Sequence, residues 1–294
     1  MERISILIVT KNRSTLLERC FQSLVVQREK PYEIVLVDND STDATKFLTE
    51  TFAKRLPIHY WYTTVQGYPK GYNFGIKKCK GDRIVFLDDD CVVTRDWFDK
   101  LKQSIKKNPT AVIQGKTLSV STGNIYADIM GDHYQNWVTS NMVAYNLLRT
   151  FDNKNLCVPK VFIKKFGVFN ESFAMGSEDI ELGIRYFRNG VKIVYDPSII
   201  AFHRERDTFN GFISQHVRIA KSEAIVDQTL FREEKTASVY PKKIFLHTRS
   251  VVRRELHYLR AKKIGYVFLL PFLYTILAGI RLWTYYTTAW SIQK

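Results

Sequence analysis

The first hundred residues alternate between strand-length apolar runs and helix-period segments, and few architectures accept that rhythm. "ISILIV" (Ile4 to Val9), "EIVLV" (Glu33 to Val37), "IHYWY" (Ile58 to Tyr62) and "RIVFL" (Arg83 to Leu87) have strand length, and the first reads as buried on both faces. Between the first two, Leu16, Leu17, Cys20, Phe21, Leu24 and Val25 recur on one side of a helix expected from Ser14 to Gln27. Ser41 or Thr42 is expected to cap a second helix running to about Lys54, and a third is expected around Asn73 to Lys80. This alternation predicts an α/β fold, a doubly wound, mostly parallel sheet.

Such sheets bind ligands beyond the carboxyl ends of their strands. Three polar clusters fall there: Thr10 to Arg13, Asp38 to Asp40, and Asp88 to Asp90. The triplet is the most demanding, because adjacent like charges repel and a strand end does not need them. If strand geometry persists, alternation sends Asp88 and Asp90 to one side and leaves Asp89 a bystander on the other. A D-x-D pair suits a hard divalent cation, Mg2+ or Mn2+, that also holds substrate phosphates. A solvated turn, or a cap for the helix near Trp97, explains the same letters without a ligand.

After Trp97 a helix to Lys107 and the strand "AVIQGKTLSV" are expected, while residues 121 to 156 read as less regular. "GSEDIELGIR" (Gly176 to Arg185) opens a helix that stops at Gly190. Acids in a first turn are favoured by the helix dipole, and Glu181 with Arg185 is an ordinary i,i+4 pair. The loop "QGYPKGYNFG" (Gln66 to Gly75) has glycines that could admit a phosphate, with Lys70 adding charge. It matches neither the P-loop nor the dinucleotide spacing, which disfavours an NTPase and a dehydrogenase. "VKIVYDP" reads as a short strand and turn, and the chain beyond about Asn210 reads as helical.

The formal net charge is +15, which asks for an anionic partner. From Lys235 to Lys263 nine basic residues face one acid, Glu255, and a charge-free stretch of 17 residues follows, from Ile264 to Ile280. A basic segment leading into an apolar, aromatic one reads as an anchor on an anionic membrane surface, or as a buried helix pair used for dimerisation. The charge lies beside apolar sequence, so nucleic acid is not the expected partner. Cys20, Cys79, Cys91 and Cys157 form no paired metal spacing and fit a reducing compartment. With no leader expected before the first strand, the expectation is an α/β domain over 1–210, divided into 1–118 and 119–210, and a basic helical region over 211–294.

The segments "ISILIVTKNR", "EIVLVDNDSTDAT", "GYNFG", "CKGDRIVFLDDDCVV" and "FGVFNESFAMGSEDIELGIR" resemble, in this order, those of family 2 glycosyltransferases. The resemblance covers roughly residues 3 to 205. It implies the GT-A fold and inverting transfer from a nucleotide-sugar, with 1–210 as the catalytic domain, 1–118 its nucleotide-sugar half and 119–210 its acceptor half. By position, Thr10, Asn12 and Arg13 match the first nucleotide loop, and Asp38 and Asn39 the pair that reads the base. Asn73 matches the Asn of an R-N-x-G motif, with Tyr72 where many members carry Arg. Asp88 matches the position near ribose and metal, beside Asp89, and Asp90 the metal ligand. Asp179 matches the catalytic base, Glu178 its neighbour, and His203 a histidine that completes the metal or diphosphate site in some members. A core or capping histidine is the other reading of His203.

The same resemblance implies a hydroxyl acceptor, since an anionic phosphate acceptor needs no base. "QHVRI" (Gln215 to Ile219) has Ile where processive synthases have Trp, which implies single addition. A glycan or lipid-linked saccharide at the cytoplasmic face of a membrane is the acceptor expected, with the protein held there peripherally or by one C-terminal anchor. Two rivals are a sugar nucleotidyltransferase, whose Gly-rich N-terminal loop "VTKNRSTL" is not, and a catalytically silent relative, which intact Asp88, Asp90 and Asp179 disfavour.

Overall fold

The computed structural model describes residues 2–120, 123–138, 151–173, 176–230 and 264–293. They form two compact units, 1–123 with 127–174 and 178–205, and 124–126 with 175–177 and 206–294. In the first, β1 (Ile4–Thr10), α1 (Ser14–Val25), β2 (Glu33–Asp38), α2 (Thr45–Phe52), β3 (Ile58–Tyr62), α3 (Tyr68–Lys78) and β4 (Arg83–Phe86) follow the expected alternation. Next come β5 (Cys91–Val93), α4 (Trp97–Lys107), β6 (Val112–Ser119) and α5 (Ile125–Val138). They are followed by a 3₁₀ turn (Asn153–Asn155), β7 (Leu156–Pro159), α6 (Lys160–Phe166), α7 (Glu178–Arg188) and β8 (Ile193–His203).

The eight strands form one sheet in the order β3-β2-β1-β4-β7-β6-β8-β5. The first four are parallel, with Thr10 beside Asp38 in register. β7 enters antiparallel between β4 and β6, β8 runs parallel to β6, and β5 runs antiparallel to β8. The sheet is therefore more mixed than a doubly wound one. Every residue of β1 is buried because helices cover both faces. Ile6 and Ile8 join one core with Leu17, Phe21 and Trp97, while Leu7 and Val9 join the other with Tyr72, Ile76 and Tyr186.

Helix α3 corrects the reading of the segment from Gln66 to Gly75 as a phosphate loop: Gln66 and Gly67 precede it, and the glycines Gly71 and Gly75 lie inside it. A Cβ on Gly75 would stand 2.3 Å from Leu7 Cδ1 and 2.9 Å from Val37 Cγ2. The glycines let the helix settle on the sheet, with Pro69 in its first turn, where a missing N–H costs nothing. Helix α2 begins later than expected. Asp43, rather than Ser41 or Thr42, accepts the Thr45 N–H at 3.1 Å. Part of the 121–156 stretch is the helix α5, and 139–150 lie outside the described residues.

In the second unit α8 (Phe209–Leu230) and α9 (Ile264–Gln293) pack through Ala224, Leu282, Tyr285 and Ala289. On α9, Trp283, Tyr286 and Trp290 are exposed. Among the described residues no helix is long and apolar enough to cross a membrane. The basic segment 235–263 lies outside the described residues.

Candidate active site

The three strand ends meet as expected, but the acidic triplet is a turn. β4 stops at Phe86, Asp89 and Asp90 turn, and the Cys91 N–H donates to Asp88 O at 3.1 Å. Strand alternation therefore does not sort the carboxylates, and Asp89 is no bystander. Thr10 Oγ1 donates to Asp89 Oδ2 at 2.6 Å, and Arg13 Nη1 lies 2.8 Å from Asp89 Oδ1. Arg13 Nη2 contacts Asp90 Oδ2, which also faces His203 Nε2 at 3.3 Å. Asp88 Oδ1 accepts the Tyr72 hydroxyl at 2.7 Å.

Electrostatics separate the three. Burial pushes the Asp89 carboxyl up to about 7 despite the Arg13 guanidinium. Burial also raises Asp88, and the Asp90 charge adds to it, with Lys154 and Tyr72 opposing. For Asp90 burial acts upward too, but His203 and Arg13 outweigh it and hold the carboxyl well below its usual range. Burial lowers His203, but Asp90 and Glu205, whose Oε1 is 3.0 Å from Nδ1, carry it up to about 10. His203 is thus an imidazolium clamped between two carboxylates.

The nucleotide loop is built by local bonds. Asn12 takes φ +53°, a left-handed conformation that Asn tolerates, and its Oδ1 accepts the Thr42 N–H at 2.7 Å. Asp38 accepts from Tyr60 Oη at 2.7 Å and from Ser41 N at 2.9 Å. Asn39 is buried and its Oδ1 has no hydrogen-bond partner, an open acceptor at the strand end. Asn73, expected in the nucleotide set, is not presented there. Its Nδ2 donates to Phe169 O and Glu171 Oε1, both at 2.9 Å, and its Oδ1 accepts from Phe169 N at 3.0 Å. The whole amide is used to pin the 169–171 turn.

Asp179 lies in the first turn of α7, part-buried, and accepts the Ile180 backbone N–H at 2.8 Å. Burial raises its carboxyl to about 6, Asp152 adds to that, and Lys154 opposes. Glu178 precedes it, and its charge acts on Tyr72. Sequence reasoning missed the 152–155 turn, which brings Asp152 and Lys154 to this site. The only signal was a polar "DNKN" directly before an apolar "LCVP".

Asp88, Asp90 and His203 offer two carboxylate oxygens and one imidazole nitrogen, a donor set of the kind divalent cations take. Among the described residues no three His, Cys, Asp or Glu groups stand in a metal-holding cluster. Arg13 and the His203 imidazolium face Asp90 instead, so the carboxylates fit in kind, while Asp90 would have to part from Arg13 and His203 would have to lose its proton before its nitrogen could join them.

A mannosyltransferase from Pyrobaculum calidifontis, in complex with GDP-Man and Mn2+, superposes over 98% of this chain and 86% of its own. The TM-score is 0.65 at 16% identity, a likeness of fold. The sheet and its carboxylate turn thus define a GT-A-like α/β protein. Residues 5–169, more than half of the chain, match the family described as "Glycosyl transferase family 2". The chain belongs to glycosyl transferase family 2.

Among its relatives, glycosyltransferase GlyA of Streptococcus pneumoniae serotype 4 is 26% identical over 203 residues, 66% of this chain and 29% of that protein. Chondroitin synthase of Pasteurella multocida is 25% identical over 237 residues, 69% of this chain and 25% of that protein. The chain spans under a third of the length of these relatives.

Proposed function

We propose that the protein is an inverting glycosyltransferase that moves one sugar from a nucleoside-diphosphate sugar to an acceptor hydroxyl. The observation that carries this reading is the Asp179 carboxylate. It is raised to about 6 in the first turn of α7, ionised at neutral pH yet basic enough to take a proton. In the proposed step the acceptor hydroxyl gives its proton to Asp179 while its oxygen bonds to the anomeric carbon. The bond from that carbon to the diphosphate breaks, and its electron pair leaves on the nucleoside diphosphate. Asn39 Oδ1 supplies an acceptor for a ring N–H of the base. Asp38, Asn12 and Thr10 shape the loop around it. A divalent cation held by Asp88 and Asp90, with His203 beside them, would neutralise diphosphate charge.

The proposed acceptor is a lipid-linked saccharide at the cytoplasmic face of a membrane. The basic 235–263 sequence and the exposed Trp283, Tyr286 and Trp290 support contact with an anionic surface.

The test is nucleoside diphosphate release from a panel of nucleotide-sugars, with Mn2+ or EDTA and saccharide acceptors. Turnover of one donor is expected, lost in EDTA. Asp179→Asn should cost about 10²–10⁴-fold in kcat and leave nucleotide binding by calorimetry intact. An undiminished rate in that variant removes Asp179 as the base, and an undiminished rate in EDTA removes the metal.

A further inference from the structure

Helix α9 is apolar on two sides. Toward α8, Leu282, Tyr285 and Ala289 pack against Ala224, and Tyr285 and Ala289 are buried. On the opposite side Ile276, Gly279, Trp283, Tyr286, Thr287 and Trp290 recur at the three- and four-residue spacing that keeps to one helix face, and all are exposed. Trp283 is 75% and Trp290 62% exposed, although tryptophan is a residue that folding usually covers. The stripe lines a shallow apolar groove from Gly279 to Trp290, and a Cβ added to Gly279 meets nothing within 4 Å. At 1.5 Å per residue the stripe runs for about 20 Å along the helix.

Charge and side-chain chemistry select what covers this face. From Leu256 to Lys294 the chain has no acid, while Arg260, Lys262, Lys263, Arg281 and Lys294 are cationic. A second copy would bring like charge to the same place, whereas an anionic surface is complementary. Trp283, Tyr286 and Trp290 each carry an N–H or O–H that a dry protein interface would have to satisfy. The headgroup region of a bilayer accepts them with water, carbonyl and phosphate oxygens.

We infer that α9 lies in the plane of an anionic bilayer surface, with Trp283, Tyr286 and Trp290 seated among the headgroups and its other face kept on α8, and that it does not cross. This deepens the membrane contact proposed above and rests on it. Trp283 and Trp290 are seven residues apart, about 10 Å along the axis. In a helix lying flat both reach one depth. In a helix standing upright one sits about 10 Å deeper than the other, and the stripe cannot meet the headgroups together. The charge-free run from Ile264 to Ile280 has 17 residues, short of the about 20 that a span takes, and Arg281 ends it.

The test takes the full-length protein and vesicles of phosphatidylcholine, alone or with about one-third phosphatidylglycerol. No nucleotide-sugar is present, so the sugar-transfer reading stands apart from the outcome. The protein should float with the anionic vesicles, come off in alkaline carbonate, and bind the neutral vesicles about tenfold more weakly or worse. Trp283→Ser and Trp290→Ser should each weaken binding about tenfold, with the melting temperature unchanged because both side chains are exposed. Gly279→Glu, whose Cβ has open space, should also release the protein by setting an acid in the stripe. Quenching by lipids brominated near the headgroup, read as the difference between wild type and Trp283→Phe or Trp290→Phe, should be equal at the two positions. Unequal depths, or protein that resists carbonate, overturn the in-plane placement and leave the membrane contact standing. Binding that ignores the serine and glutamate substitutions overturns the stripe as the contact. Absence of flotation on either vesicle removes the membrane contact and this inference with it. A dimer in solution that Trp283→Ser dissociates does the same, with a second copy as the occupant.

Discussion

Replacing Arg13 by Met should destabilise the fold through the carboxylates it leaves behind. Arg13 contacts both Asp89 and Asp90, whose side chains are 3% and 7% exposed, while its own is 30% exposed. Removing one partner of a buried ion pair costs about 3–5 kcal/mol, because the other charge stays buried and uncompensated. Here Thr10 still serves Asp89 and His203 still serves Asp90, so the lower end, about 3 kcal/mol, is expected. With a urea slope of about 1–3 kcal/mol/M the midpoint should fall by about 1 M or more at pH 8, with the slope unchanged.

Two controls make the reasoning refutable. Because the folded Asp89 carboxyl lies near 7, above its ordinary 3.8, the native state binds the extra proton. Stability therefore rises as pH falls through about 7, and the Arg13→Met deficit should shrink between pH 8 and 6. Adding Asp89→Asn to Arg13→Met should recover about half of the loss. A loss that ignores both pH and Asp89→Asn would mean that Arg13 contributes packing, and the charge account would be wrong.

Other outcomes follow from single contacts. Asp179→Asn should be more stable than wild type at pH 8 by up to about 3 kcal/mol, since a carboxyl displaced from 3.8 to about 6 favours the protonated native state. The gain should vanish as pH falls through 6 towards 4, read by urea unfolding at each pH. Gly75→Ala drives a methyl against Leu7 and Val37 and should cost about 1–3 kcal/mol in thermal unfolding. Asn155→Ala strands the buried Trp97 Nε1–H and should lower stability by about 1–3 kcal/mol, with a change in tryptophan fluorescence.

The β1 to β4 half was legible because its strands are apolar runs with the helix period between them. That Thr10, Arg13, Asp38 and the Asp triplet gather at those strand ends was legible for the same reason. Four features were not. The triplet's geometry depends on a turn that strand alternation cannot foresee. Helix α3 begins at Tyr68, ahead of the Asn73 that a Gly/Pro-rich sequence invites, because Gly75 needs the sheet's proximity and tertiary packing overrides propensity. The Asp152–Asn155 turn reads as solvated polar sequence, and partners far away in the chain, Gln114, Thr117 and Trp97 among them, make its burial tolerable. β7 is four residues long and antiparallel, too short to show a period.

The closing strand carries a last consequence. β8 supplies His203 to Asp90 and pairs with both β5 and β6, yet it begins at Ile193, beyond the 5–169 stretch that defines the family. A chain emerging from a ribosome would have made Thr10, Arg13 and the carboxylate turn long before the strand that completes them arrives. Until about residue 203 is synthesised, β5 lacks its partner and Asp90 lacks His203. The proposed donor recognition should therefore switch on late in translation, and a fragment cut after residue 169 should lack it.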